Sequence, residues 1–194
     1  MEIKKLLTLV SEDKQGSFDL FFNLYYDQVF RFAFYYLKNR EICREVVTDV
    51  FFSVWQSRKR LSAIANIETY LYVVVRNEAT RYLSNKQKHS FVSIEDIPVQ
   101  IGQEEESPEQ ELLTKEMEAF LSKVISELPE KCRVIFLMAR EEGLKTKEIA
   151  EILSIQESTV RVQMKIAIDK IVASVKPHFP DLTLSVLLIN LFIR

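Results

Sequence analysis

The stretch LKTKEIAEILSIQESTVRVQMKIAIDKI, residues 144–171, has the pattern that decides the fold of this chain. Its apolar residues recur at helical spacing on either side of a tight turn around Ser154. This predicts a short helix followed by a second one, from about Glu157 to Val175. Small or branched apolar residues should lie between the two crossed helices: Ile149, Ala150, Leu153, Ile155 and Val160. Ala150 should be the pivot, because a larger side chain there would hold the helices apart.

The second of these helices has an apolar face and a polar face. The residues expected to pack inward are Val160, Met164, Ala167, Ile168, Ile171, Val172 and Val175. The residues expected outward are Glu157, Ser158, Thr159, Arg161, Val162 and Lys165. This arrangement is typical of a helix-turn-helix whose second helix lies in a DNA major groove. Any helical hairpin has a similar apolar periodicity, so the segment alone does not distinguish a DNA-binding helix-turn-helix from an ordinary helical hairpin.

Two positions depart from the usual helix-turn-helix pattern. Ser154 stands where a glycine usually adopts the left-handed conformation. Lys145 stands where a serine or threonine usually caps the first helix, although the neighbouring Thr146 could cap it instead. We expect the motif to tolerate both.

Length and composition indicate a globular, all-helical protein. At 194 residues, the chain can form one large domain or two small ones. Hydrophobic residues make up 47% of it, and three glycines and five prolines leave long amphipathic stretches uninterrupted. Cys43 and Cys132 lie in helical patterns without metal-ligand spacing, so we expect core thiols in a reducing compartment.

Neither end of the chain has a pattern that indicates export or membrane insertion. Residues 1–18 lack a sustained apolar run and a small-residue cleavage site. The apolar stretch LTLSVLLINLFI, residues 182–193, is too short to cross a bilayer, and we expect it to form a short helix packed on the C-terminal domain. We therefore expect a cytoplasmic protein.

The net charge of −2 limits how this chain could bind DNA. A free-standing DNA-binding protein usually has excess basic surface, because counterion release from phosphates supplies much of the affinity. Without that excess, the chain should bind DNA weakly by itself or within a larger complex.

Helical patterns also fill the rest of the chain, apart from one acidic interval. They predict helices at 18–38, 41–58 and from Thr69 onward, with a loop at 61–66. Residues 90–111 contain no lysine or arginine and read as a flexible acidic linker. A helix resumes at Leu112, and Pro129 separates it from another that ends near Gly143. The predicted fold is all-α: an N-terminal domain at 1–89, the linker, a C-terminal helix-turn-helix domain at 112–176, and an apolar tail at 177–194.

The helix at 41–58 has a second face outside its apolar stripe. An aromatic flanked by carboxylates and amides lies there and suggests a partner-docking surface: Glu45, Thr48, Asp49, Phe52 and Gln56. A wide core stripe bordered by solvated charges would look the same.

The next helix combines cations with aromatics and amides. These residues are Tyr72, Arg76, Asn77, Arg81, Tyr82, Lys86 and Lys88. Such a mixture suits a nucleic-acid strand whose bases stack. A charged, solvent-facing helix remains the alternative.

The order of these segments resembles that of a bacterial RNA polymerase sigma factor. Three segments precede an acidic linker: FDLFFNLYYDQVFRFAFYYL, CREVVTDVFFSVW and NIETYLYVVVRNEATRYL. One segment follows it: LPEKCRVIFLMAREEGLKTKEIAEILSIQESTV. The chain is most similar to the compact extracytoplasmic-function group, which keeps only the second and fourth sigma regions. The resemblance extends to about Val175.

The resemblance implies a role for each candidate surface. The residues expected to bind core RNA polymerase are Glu45, Thr48, Asp49, Phe52 and Gln56. Those expected at the −10 promoter element are Ser62, Asn66, Tyr72, Arg76, Asn77, Arg81 and Lys86, with the loop at 61–66 capturing a flipped base. Those expected at the −35 element are Glu157, Ser158, Thr159, Arg161, Val162 and Lys165. The acidic linker would run through the polymerase toward the RNA exit path. A partner anti-sigma protein, often membrane-anchored in this family, would hold the factor inactive.

Several residues depart from the family pattern. Arg81 stands where an aspartate is frequent, Ser84 where an arginine is frequent, and Thr48 where a glutamine is common. Ile166 and Ile168 replace frequent basic residues, which should weaken phosphate contacts.

Two other function classes compete with this interpretation. An enzyme is disfavoured, because His89 and His178 have no nearby nucleophile or metal-ligand spacing and no glycine-rich phosphate loop exists. We expect no catalytic residues, metal, cofactor or small-molecule substrate. A stand-alone helix-turn-helix regulator would need a dimer surface and its own duplex affinity. The net acidity disfavours it.

Overall fold

The computed structural model describes residues 2–86 and 108–179, with side chains described at 2–85 and 116–179. The chain divides into two compact units, 1–93 and 94–194. Every regular element within the described ranges is helical. The predicted all-α fold is therefore confirmed. Residues 90–107 of the predicted linker (90–111) and residues 180–194 of the predicted tail (177–194) lie outside the described residues.

Between residues 2 and 86, the first unit is built from four α-helices and one short 3₁₀-helix. They are α1 (Ile3–Ser11), α2 (Ser17–Leu37), α3 (Arg40–Gln56), the 3₁₀-helix (Arg58–Ala63) and α4 (Ile67–Lys86). Helices α2, α3 and α4 contact one another, and α1 packs against the 3₁₀-helix and α2. The core therefore lies among these three helices, and α1 adds its buried side chains to it.

Aromatic side chains fill much of this core, as the apolar stripe of α2 predicts. The buried members of that stripe are Phe21, Tyr25, Val29, Phe32, Ala33 and Tyr36, whereas Phe18 and Phe22 are half-buried. On α3, the predicted inward residues Val47, Val50, Phe51 and Val54 are all buried. Phe32 meets Tyr72 of α4 edge-on, with ring centroids 4.6 Å apart. These contacts set the orientation of α3 and α4.

Three boundaries in this unit differ from the sequence predictions. Helix α3 ends at Gln56, and the expected loop at 61–66 begins within the 3₁₀-helix, where Leu61 is fully buried. Helix α4 begins at Ile67 rather than Thr69, because the Asn66 side chain accepts a hydrogen bond from the Thr69 amide at 2.9 Å and caps it. Helix α1 was not predicted.

The second unit contains α5 (Pro108–Glu127), α6 (Glu130–Arg140), α7 (Thr146–Leu153) and α8 (Glu157–Val175). Helix α8 contacts the other three and forms the centre of the unit. Helix α5 begins at Pro108, so residues 108–111 of the expected linker are helical. Pro129 separates α5 from α6, as predicted.

Arg133 is a buried cation that joins α5 to α6. It is 5% exposed, and its Nη1 donates to the Leu128 carbonyl at 2.8 Å. Burial lowers the pKa of Arg133 to about 10, and the charge of Glu130 opposes this shift. The guanidinium therefore stays charged at neutral pH. Cys43 and Cys132 are buried and are not joined to another cysteine by a disulfide, as expected of core thiols.

The helix-turn-helix forms between α7 and α8. Ile149, Ala150 and Val160 are buried between the helices, and Ser154 adopts the left-handed conformation with φ 55°. The Ile155 amide donates to the Ala150 carbonyl at 3.0 Å and closes the turn.

Two expectations for this motif are wrong. Ile155 is 37% exposed, because the left-handed turn carries it to the surface, and Ile152 fills the interior instead. Thr146 does not cap α7. The Lys145 amide donates to the Glu148 carboxylate at 2.8 Å, and the Thr146 hydroxyl donates to Glu157.

Candidate nucleic-acid and partner surfaces

The outer face of α3 presents its five candidate residues to solvent. They are Glu45, Thr48, Asp49, Phe52 and Gln56. Phe52 is 60% exposed, which is costly for a large apolar side chain and typical of a docking site. Trp55, 38% exposed, extends this apolar surface. Trp55 was not predicted to belong to this surface, although its position three residues after Phe52 places it on a neighbouring part of the helix surface.

An ion-pair network joins this face to α4. Arg81 Nη2 lies 3.3 Å from Asp49 Oδ2 and 2.6 Å from Glu78 Oε2. The other Glu78 oxygen accepts from the Ser53 hydroxyl at 3.2 Å. The candidate polymerase-binding face and the candidate −10 helix therefore share charged contacts.

The other candidate residues of α4 have distinct environments. Arg76 is half-buried and donates from Nε and Nη2 to Asn77 Oδ1, at 3.1 and 2.9 Å. Asn77 is exposed. Lys86 is the last residue of the helix, and its side chain lies outside the described part of the chain.

Tyr72 requires a correction. Its side chain is 3% exposed and packs on Phe32, and its hydroxyl accepts from Gln28 Nε2 at 2.6 Å. A residue in this position supports the core and cannot stack on a base. We therefore remove Tyr72 from the candidate −10 residues.

The segment 61–66 is held at both ends. Leu61 is fully buried at its start, and the Asn66 side chain caps α4 at its end. Ser62 is exposed between them. The cap occupies Asn66 Oδ1, which leaves the Asn66 amide group as its outward donor.

The recognition surface of α8 is also organised by internal contacts. Ser158, Thr159, Arg161, Val162 and Lys165 are exposed, whereas Glu157 is half-buried. Glu157 Oε1 accepts from the Thr146 hydroxyl at 2.9 Å and from Arg161 Nη2 at 2.6 Å. The Thr146 hydrogen bond, followed by that of Arg161, lowers the pKa of the Glu157 carboxyl. Glu157 therefore links the start of α8 to α7 and orients Arg161.

The described residues contain neither a metal-type cluster nor a membrane-type helix. No group of three or more His, Cys, Asp or Glu side chains in them could hold a metal ion. No helix within the same ranges is both long and apolar enough to span a bilayer.

Two family models match the chain in the order of its two units. The model for Sigma-70 region 2 matches residues 21–89, and the model for Sigma-70 region 4 matches residues 118–171. All candidate residues lie within these ranges. Helix α1 lies before the first.

Curated relatives match along most of the chain. The RNA polymerase sigma-H factor of Pseudomonas aeruginosa is 25% identical over 177 residues, which cover 86% of this chain and 92% of the relative. The ECF RNA polymerase sigma-E factor of Haemophilus influenzae is 25% identical over 179 residues, covering 89% and 94%.

Solved sigma factors share the fold. RpoE of Bartonella quintana, in complex with the anti-sigma factor NepR, superposes with a TM-score of 0.62 at 16% identity, covering 83% of this chain and 98% of that one. CnrH, in complex with the cytosolic domain of CnrY, gives a TM-score of 0.59 at 13% identity, covering 90% and 97%.

These matches distinguish a sigma factor from a stand-alone helix-turn-helix regulator. A stand-alone regulator would not account for both sigma regions in this order. The chain belongs to the extracytoplasmic-function group of RNA polymerase sigma factors, the transcription initiation factors that direct RNA polymerase to promoters.

Proposed function

We propose that this sigma factor binds core RNA polymerase through the exposed face of α3. The observation that supports the proposal best is the 60% exposure of Phe52 on the helix face that also carries Asp49 and Glu45. An exposed aromatic on the same face as carboxylates has the composition of an interface, in which the apolar group supplies affinity and the charges supply specificity. Thr48 and Gln56 complete this surface.

The first unit also reads the −10 element. The residues that we assign to it are Ser62, Asn66, Arg76, Asn77, Arg81 and Lys86. Ser62 and Asn66 belong to a short segment with fixed ends, which suits capture of an extruded base. Arg76, Asn77 and Arg81 follow one another along α4 and suit a strand backbone lying beside the helix.

The second unit reads the −35 element with α8. Arg161 and Lys165 lie one turn apart on the exposed surface of this helix, and the apolar Val162, 56% exposed, lies beside them. Arginine can bind guanine through two hydrogen bonds, and an apolar side chain can contact a thymine methyl group. Glu157, Ser158 and Thr159 at the helix start complete the reading surface.

An anti-sigma protein is the proposed regulator. Two sigma factors of this fold have been solved with such partners, namely RpoE with NepR and CnrH with CnrY. We propose that an equivalent partner, often membrane-anchored in this family, covers surfaces that polymerase uses. Such a partner should compete with core polymerase for the purified sigma factor.

The chain itself catalyses no reaction under this proposal, because the polymerase supplies the chemistry. The sigma factor therefore acts in the cytoplasm, where promoter DNA and polymerase meet.

Transcription in vitro tests the proposal. Purified chain and core polymerase are combined with a promoter library, and transcripts are sequenced. Enrichment of two spaced elements, dependent on both components, is the expected result. Gel shifts with and without core polymerase provide the second measurement. Tight, specific DNA binding by the chain alone, without association with core polymerase, would overturn the proposal in favour of a stand-alone regulator.

A further inference from the structure

Helix α1 lies N-terminal to the region that the sigma family model matches, yet it is packed firmly into the first unit. Its Leu6, Leu7 and Val10 are 1–3% exposed. The helix contacts the 3₁₀-helix and the start of α2. The Ser17 hydroxyl, at the start of α2, donates to the Leu9 carbonyl at 3.2 Å. These contacts place α1 directly against the element that leads into the 61–66 segment.

An ion pair connects the end of α1 to the start of the 3₁₀-helix. Arg58 Nε donates to Asp13 Oδ1, and Arg58 Nη2 lies 3.3 Å from Asp13 Oδ2. Asp13 adopts a left-handed conformation with φ 55°, and its amide donates to the Val10 carbonyl at 3.1 Å. The backbone turn after α1 therefore presents the Asp13 carboxylate to Arg58 in a two-pronged geometry.

The remaining nitrogen of Arg58 is also engaged within the protein. Arg58 Nη1 donates to the Trp55 carbonyl at 3.0 Å, and the guanidinium carbon lies 4.0 Å from the centroid of the Trp55 ring. The Arg58 side chain is 22% exposed. A guanidinium with these contacts is poorly placed to bind a phosphate but well placed to fix the backbone at residue 58.

The far end of the segment is fixed independently. Asn66 caps α4 at this end. At the near end, the hydroxyl of Ser57, the residue before Arg58, lies 2.9 Å from the Tyr70 hydroxyl of α4. Between the buried Leu61 and this cap, Ser62, Ala63 and Ala65 are exposed. The segment thus exposes mainly small residues, with Ile64 half-buried among them, between two anchored ends, and the Asp13–Arg58 pair anchors the first.

We propose that α1 and the Asp13–Arg58 pair position the 61–66 segment for promoter opening, so that Asp13 is a positioning residue that never touches DNA. The inference rests on the proposed capture of a −10 base by this segment. Extruding a base costs its stacking energy, and a segment held in its binding conformation pays less ordering entropy when it receives that base. Loss of the pair should therefore weaken base capture and leave polymerase binding unchanged.

Base capture can be measured separately from the other contacts. Holoenzyme is bound to promoter DNA whose non-template −10 strand is single-stranded, either intact or with an abasic site at each position in turn. The position at which wild-type affinity falls most identifies the captured base. We define discrimination as the affinity for intact DNA divided by the affinity for DNA that is abasic at this position. This ratio is measured for each variant.

Four variants separate positioning from direct contact. They are Asp13→Asn, Arg58→Gln, the double neutral variant Asp13→Asn/Arg58→Gln, and the charge-exchanged Asp13→Arg/Arg58→Asp. We expect each single change to reduce the discrimination about threefold, the scale of one partly exposed ion pair. The double neutral variant should be no worse than either single variant, because both remove the same interaction. The charge-exchanged variant should recover only part of the loss, because arginine fits the left-handed backbone at position 13 less well than aspartate does. Glu12→Gln, at the exposed position before Asp13, is the matched control.

Different results overturn different statements. A wild-type holoenzyme that shows no abasic effect at any −10 position would remove the proposed role of the segment. Clear wild-type discrimination that Asp13→Asn leaves intact would overturn the positioning inference alone. If discrimination fell with Arg58→Gln but not with Asp13→Asn, Arg58 would be a direct DNA contact and the positioning inference would fail. Thermal unfolding of each variant identifies any that fail to fold. If a single variant does not fold, the discrimination of the charge-exchanged variant tests the positioning inference in its place.

Discussion

Arg81 of α4 pairs with Asp49 of α3, with Arg81 Nη2 3.3 Å from Asp49 Oδ2. The two side chains are 61% and 53% exposed, so water screens the pair and its contribution to stability is small. Breaking the pair, so that Asp49 binds polymerase or Arg81 binds DNA, therefore costs the fold little stability. The pair also means that a substitution at Asp49 changes the surroundings of Arg81.

Charge reversal at Asp49 should impair polymerase binding. We expect Asp49→Arg to weaken core polymerase binding about tenfold, because it places a like charge against a surface that complements a carboxylate. The fold should survive, since Asp49 is exposed. Fluorescence anisotropy of labelled chain with core polymerase measures the affinity, and circular dichroism checks folding.

Two controls accompany this prediction. Glu127→Arg makes the same charge change at an exposed position of the other unit. Arg81→Ala removes the internal partner without reversing the Asp49 charge. If Arg81→Ala lowered core affinity as much as Asp49→Arg, the assignment of Asp49 as a direct contact would fail.

Truncation of Arg161 should reduce reading of the upstream element. We expect Arg161→Ala to weaken −35 recognition by roughly 1–3 kcal/mol, the usual value of a good two-hydrogen-bond base contact. Transcription from templates with matched and scrambled −35 elements measures it, with the exposed Lys170→Ala on the same helix as control. Equal transcription from both templates by the wild type would contradict the assignment.

Neutralising Glu157 should release Arg161 from its oriented position. In Glu157→Gln, we expect non-specific DNA binding to rise, because one negative charge is lost, and the ratio of specific to non-specific binding to fall. Competition gel shifts of the holoenzyme with the two templates measure both quantities. An unchanged ratio would mean that Glu157 does not orient Arg161.

The ionisation of Glu157 also has a pH consequence. Hydrogen bonds from Thr146 and Arg161 lower its folded pKa below the ordinary 4.5. Its contribution to stability is therefore complete above that value and is lost only as pH falls through the lower folded pKa. We therefore expect the ratio of specific to non-specific −35 binding to stay constant between about pH 6 and 8. Any change with pH that Glu157→Gln also shows must come from other groups. A decline confined to the wild type in that interval would contradict this.

Enlarging Ala150 should separate the helices of the helix-turn-helix. Ala150 is 8% exposed between α7 and α8, so we expect Ala150→Leu to destabilise the second unit by about 1–3 kcal/mol through overpacking. Its −35 recognition should fall, whereas binding to single-stranded −10 DNA should persist. Urea unfolding and the two DNA assays measure these effects. Ala173→Leu, the same change at an exposed site of α8, should leave all three nearly unchanged.

Glycine at position 154 should stabilise the turn. Ser154 has φ 55°, a conformation that costs a residue with a side chain roughly 1 kcal/mol more than it costs glycine. Glycine also raises the entropy of the unfolded chain, which offsets part of this gain. We therefore expect Ser154→Gly to raise the free energy of unfolding by about 0.5 kcal/mol. Ala173→Gly, within the exposed surface of α8, should instead lose about 1 kcal/mol. Chemical unfolding of both variants compares the signs.

The sequence alone was sufficient for the helical class, the turn at Ser154 and most of the core, because these depend on periodicity over a few neighbouring residues. The apolar rhythm of α2 and α3 indicates which sides face inward, and the turn between α7 and α8 is confined to adjacent positions. The exposed face of α3 also follows from this local geometry, since residues opposite the apolar stripe must point outward.

The contacts between distant residues depended on the tertiary structure. Tyr72 is buried because Gln28, 44 residues earlier, and Phe32 lie against it. Arg58 meets Asp13 across 45 residues, and Arg81 meets Asp49 across 32. Periodicity describes which side of a helix a residue occupies, but only the packing of whole helices decides which residues of other helices it meets.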